Sequence, residues 1–104
     1  MTSLEAAARF LGPEYKVARV IHRPIGVDFV ETYFVEAPNG AYLTDDELCM
    51  ALLRRAEQLG LWPLLCLSVD RGWRCDLTAT QIDPCDGPTP LAAVLAAVQA
   101  LEAA

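Results

Sequence analysis

The chain has 104 residues, 54% of them hydrophobic, a mean hydropathy of +0.27 and a formal net charge of −6. This length holds one domain, residues 1–104, able to bury a core without metals or disulfides, and the hydropathy excludes disorder. Lys16 is the one lysine and the arginines are scattered, so no basic face for nucleic acid is expected; the acidity suits solubility and a basic protein partner alike.

No apolar run approaches the roughly 18 residues of a membrane span. Met1-Thr2-Ser3-Leu4-Glu5 lacks the basic and apolar regions of a signal peptide, so a cytoplasmic location away from membranes is expected.

The first helix opens with Thr2-Ser3-Leu4-Glu5 in capping-box form, carries Leu4, Ala7, Ala8 and Leu11 on one face, and stops at Gly12-Pro13. Tyr15 to Ile21 reads as a strand. His22-Arg23-Pro24-Ile25-Gly26 breaks it, and Val27 to Ala37 forms a second strand whose alternation is imperfect around Val30. Pro38-Asn39-Gly40 signals a turn into a short return strand, Ala41 to Leu43.

Thr44 and Glu47 predict a second capping box, with Asp45, Asp46 and Glu47 at the positive end of the helix dipole. Leu48, Leu52, Ala56 and Leu59 mark the buried stripe, and Gly60 ends the helix. Leu64 to Val69 and Trp73 to Thr80 then predict a hairpin around Asp70-Arg71-Gly72, pairing Val69 with Trp73, Leu67 with Cys75 and Leu65 with Leu77. Those six residues fall on one face, which argues an antiparallel sheet under a helical layer.

Asp83 to Pro88 reads as a loop. Thr89 and Pro90 then open a helix with a stripe of Leu91, Val94, Leu95, Val98 and Leu101, filled in by alanines. From Gly87 to Leu101 there is no charged residue, so this helix should be covered on more than one side. The expected fold is α+β: an antiparallel sheet of about five strands with helices packed on it, in the order α-β-β-β-α-β-β-α.

Candidate chemistry is sparse. The cysteines, Cys49, Cys66, Cys75 and Cys85, lack zinc-ligand spacing and read as free thiols, with Cys75 inward and Cys66 on the opposite face. Capping accounts for Asp45-Asp46-Glu47 without a metal, and no cofactor motif occurs, so neither metal nor cofactor is expected. His22, the one histidine, ends a strand near Arg19 and Arg23, where a general base or an anion site could be drawn. Trp62 and Trp73 flank the hairpin; each is an interface anchor or, more commonly for such residues, closes the core.

Tyr42-Leu43-Thr44-Asp45-Asp46-Glu47-Leu48, the hairpin residues Gly72-Trp73-Arg74-Cys75 and the run Thr89-Pro90-Leu91-Ala92-Ala93-Val94-Leu95-Ala96-Ala97-Val98 together resemble small phage and prophage proteins with an α-β-α sandwich. The resemblance implies a mobile-element origin and an accessory role. It implies no active site, so no functional residue carries over.

Two function classes follow. One is a non-catalytic accessory protein that binds a host or phage protein. It is expected as a homodimer, because alanines such as Ala96 and Ala100 on the last helix would let a second backbone approach, with Trp62 as a further contact. The rival occupant of that helix surface is the first helix of the same chain. The other class is a small enzyme or anion-binding domain using Arg19, His22 and Arg23; a deep pocket holding His22 and a carboxylate would favour it.

Overall fold

A computed structural model describes residues 2–104. Helix α1 spans Ser3–Leu11, and the Thr2 hydroxyl accepts the Glu5 N–H at 3.2 Å. Strands β1 (Lys16–His22) and β2 (Val30–Glu36) pair antiparallel as a two-stranded ribbon, from Lys16 opposite Glu36 to His22 opposite Val30. The imperfect alternation around Val30 marks where the strand begins, three residues later than the expected Val27. Past the ribbon, Gly40 takes φ +84° and the Asn39 side-chain oxygen accepts the Ala41 N–H at 3.1 Å.

Helix α2 (Asp45–Gln58) carries the full capping box. Thr44 Oγ1 accepts the Glu47 N–H at 3.2 Å, and the Glu47 carboxylate accepts the Thr44 N–H at 3.1 Å. At the other end the Leu61 N–H reaches back to the Ala56 carbonyl at 2.9 Å, with Gly60 at φ +74° making the left-handed turn. Strands β3 (Pro63–Ser68), β4 (Gly72–Leu77) and β5 (Cys85–Gly87) form an antiparallel sheet in that order. Helix α3 (Pro90–Ala103) is capped by Thr89, whose hydroxyl accepts the Ala92 N–H at 3.1 Å.

The fold is α+β with five antiparallel strands, as expected, in the order α-β-β-α-β-β-β-α. Two strands trade places with the expectation. The return strand at Ala41 to Leu43 contracts to one bridge between Glu36 and Tyr42, flanked by hydrogen bonds from Ala37 N–H to the Ala41 carbonyl at 2.8 Å and from Leu43 N–H to the Val35 carbonyl at 2.9 Å. The expected loop at Asp83 to Pro88 contains β5, fixed to β4 by the ion pair of Arg74 with Asp86 at 2.8 Å. The strands also divide into two sheets of two and three.

The β3–β4 register differs by two residues from that expected: Ser68 faces Gly72, Leu67 faces Trp73 and Leu65 faces Cys75. The connection is therefore Val69-Asp70-Arg71, and Gly72, at φ +77°, is already paired. A slip of two preserves every side chain's face. Cys75 and Leu77 are accordingly buried, whereas Leu67 and Val69, expected on the same buried face, are exposed at the outer end of the hairpin.

Helix α3 lies at the centre. It packs against α1, α2, β4 and β5, which accounts for the missing charge. Of the two occupants considered for its surface, α1 is present there. Close approach follows from small residues: Ala6 and Ala7 on α1, and Ala93 and Ala97 on α3, are all buried. Leu52, Val35, Val98 and Cys75 are the largest side chains wholly shielded from solvent.

The capping box makes stability pH-dependent. The Thr44 backbone N–H, and then its side chain, hold the Glu47 carboxyl below the ordinary 4.5, and Arg74 does the same for Asp86 through a direct hydrogen bond. Both groups stabilise the fold above their unfolded values, and that contribution is lost as pH falls through the lowered folded values. Melting temperature should therefore drop on acidification below the ordinary carboxylate range. Glu47→Gln, which still accepts the Thr44 N–H, should make that drop shallower; an unchanged acid profile would remove Glu47 from the account.

Candidate interaction surfaces

Arg19, His22 and Arg23 all lie on the β1–β2 ribbon and do not converge. Side chains alternate along a strand, so Arg19 and His22 point to opposite faces. The Arg19 guanidinium is paired with Glu31, whose second oxygen accepts the Tyr33 hydroxyl at 3.0 Å. Arg23 sits over the Phe29 ring, 5.7 Å from its centroid. A depression of about 380 Å³ at the ribbon tip is lined by Arg23, Gly26, Val27 and Asp28, and His22 is not part of its wall. The arrangement gives His22 no carboxylate in a pocket.

The four cysteines are free thiols. Cys75 is buried, and desolvation pushes its thiol up to about 11. Cys66 is exposed on the opposite face, across from Arg74. Cys85 is half-buried. Burial raises its thiol first, and the neighbouring Asp86 and Asp83 add to the effect. Neither Cys75 nor Cys85 is activated for attack. Among the described residues no cluster of three or more histidine, cysteine or acidic groups could hold a metal, and no helix is long and apolar enough to cross a membrane.

The two tryptophans part company. Trp73 is half-buried against the core. Trp62 is 73% exposed and has φ +52°, the one positive φ outside glycine among the described residues. A bulky side chain in the left-handed region costs about 1–2 kcal/mol, so the surroundings must impose it. They do so through the chain that follows β4. Thr78 Oγ1 donates to the Trp62 carbonyl at 2.7 Å, the Thr78 N–H donates to the same oxygen at 3.3 Å, and the Ala79 N–H donates to the Leu61 carbonyl at 3.1 Å.

The indole is thus held outward by a clamped backbone. It lines a cleft of about 470 Å³ together with Glu57, Gly60 and Pro63. Leu64, close to it in sequence, is exposed as well, and so is Leu59, which was expected in the buried stripe of α2 but lies just past the end of that helix. No protein-family model, curated protein or solved structure matches this chain. The reading of its surfaces therefore rests on geometry and chemistry.

Ala96 and Ala100, the other expected contacts, are half-buried on α3. The sequence marks all three candidates by residue type alone, and backbone strain at Trp62 is invisible there. Gly60 and Pro63 hint at it, since they force a sharp turn on either side.

Trp62→Gly separates an interface role from a structural one. Glycine relieves the left-handed backbone, and little packing is lost from so exposed a side chain. Unfolding free energy should stay within about 1 kcal/mol of the wild type in urea titration. A loss of more than about 2 kcal/mol would make Trp62 a residue of the fold.

Proposed function

We propose that this chain is a non-catalytic accessory protein that binds another protein through the Trp62 cleft. The strained, outward-held indole carries the reading. Strain of this kind persists where it serves a purpose, and tryptophan is the residue most enriched at binding hot spots. The acidic Glu57 on the cleft wall, on a chain of net charge −6, suits a partner segment with a basic side chain that can stack on the indole. The phage-like resemblance of the C-terminal part supports a mobile-element origin, a host or phage protein as the partner, and a cytoplasmic setting for the encounter.

Affinity capture from host lysate tests the proposal, using the wild type and Trp62→Gly as paired baits. A protein retained by the wild type and lost by the equally stable variant supports it. Identical captured sets overturn it.

A further inference from the structure

The β1–β2 ribbon projects from the body as an arm. The radius of gyration is 14.6 Å, against about 13 Å for a compact chain of this length, and the molecule measures 45 × 34 × 21 Å. At the base of one face, Val17 and Val35 join the core, and Arg19, Ile21, Glu31 and Tyr33 continue that face outward. The opposite face carries Ala18, Val20, Val30, Thr32 and Phe34, and Tyr42 stacks on Phe34 with ring centroids 5.5 Å apart. Between the Lys16–Glu36 ion pair at the base and His22 near the tip, that outward face has no charge. A sheet face left to water normally alternates to polar. Here that face is uncharged and apolar, with Ala18, Val20, Thr32 and Phe34 half-buried and Val30 exposed at its outer end, and it runs into a tip where Ile25 is fully exposed and Phe29, beneath Arg23, is 72% exposed.

We infer that this outward face and tip pack against the same surface of a second copy, the two arms lying antiparallel about a two-fold axis. Area supports a second copy. The exposed apolar residues Ile25, Val27 and Phe29 of the tip, with Val30 and Tyr42 at the two ends of the face, offer on the order of 600 Å², most of it at the tip, against the roughly 800 Å² per partner of a standard interface.

Charge supports it further. Residues 16–36 hold three bases (Lys16, Arg19, Arg23) and three acids (Asp28, Glu31, Glu36). The rest of the chain holds the other five bases and eleven acids, which is the whole net charge of −6. A basic partner finds its complement on the body and no handle on the neutral arm. Two copies bring neutral arms together, while the antiparallel overlap keeps the acidic bodies at opposite ends. Each seven-residue strand spans about 23 Å, well beyond a Debye length of about 8 Å. In this arrangement each tip reaches the Phe34–Tyr42 stack of the other copy, and the smaller Ala18, Val20 and Thr32 lie at the crossing.

The inference uses a different surface from the Trp62 cleft, and its test leaves that cleft intact. Sedimentation equilibrium from about 1 to 300 µM should show a species of twice the 11.3 kDa chain mass, tightened by added salt as the bodies are screened. Val20→Lys, on the outward face, should weaken the dimer roughly tenfold or more. Ile21→Lys, one residue along on the other face, places the same charge on the same strand and should leave the dimer intact, as should Trp62→Gly. A mass of 11.3 kDa for the wild type at every concentration overturns the inference without touching the cleft. So does a dimer that Ile21→Lys weakens as much as Val20→Lys. A monomer that co-sediments with phosphatidylcholine vesicles also overturns it, in favour of a lipid surface.

Discussion

Gly87→Ala is expected to destabilise the protein by roughly 3 kcal/mol and to lower its melting temperature by roughly 10–20 °C. A Cβ on Gly87 would stand 2.6 Å from the Ala93 nitrogen and 2.8 Å from the carbonyl carbon and Cβ of Ala92. Two of those atoms are backbone of the first turn of α3, so no side-chain rotation relieves the clash. Either β5 must leave β4 or α3 must lift from the sheet, and α3 is the element that the other helices pack against. Gly40→Ala is the matched control. It has the unfavourable φ of +84° but nothing within 4 Å of the added carbon. It should cost only the backbone term, about 1–2 kcal/mol. Equal losses for the two variants in thermal denaturation would place the cost of Gly87→Ala in chain conformation and not in contact with α3.

Leu52→Ala is expected to cost about 3–4 kcal/mol, comparable with a large part of the net stability of a domain this size. Leu52 is wholly inaccessible, on the face of α2 turned to the core. Its removal leaves a cavity walled by elements that cannot collapse without moving α3. Met50, on the exposed side of the same helix, provides the contrast. Met50→Ala should stay within about 0.5 kcal/mol. Urea denaturation at constant slope reads both, and a small loss at Leu52 would show that α2 is less tightly seated than its burial implies.

Legibility in the sequence followed the strength of local signals. The helices were readable because caps and apolar stripes agree: Thr44 with Glu47, Thr89 with Pro90, and the four-residue spacing of Leu48, Leu52 and Ala56. The β3–β4 pair was readable in face but not in register, since period-two alternation is blind to a slip of two. Strand β5 was hidden because Asp83-Pro84-Cys85-Asp86-Gly87 has the composition of a turn; what makes it a strand is its pairing with β4, where Arg74 stands twelve residues away opposite Asp86. The division into two sheets was also hidden, because nothing local says which edges meet.

For the surfaces, residue type alone marked Trp62, and its geometry required the Thr78 clamp. Arg19, His22 and Arg23 looked like neighbours along the chain. The alternation of a strand separates the first two onto opposite faces, a separation already implicit in their spacing of three.

The arm divides the protein into parts that need not open together. A lone two-stranded ribbon is marginal in water, and beyond Val17 and Val35 this one rests mainly on its own cross-strand pairs. Its outer amides should exchange with solvent hydrogen through brief local fraying, many orders of magnitude faster than those of β4 beneath α3, which wait for the whole molecule to open. Substitutions near the tip would then register as altered exchange in the arm while calorimetry of the core stays unchanged. The outer arm is thereby free to vary in sequence without endangering the rest of the fold.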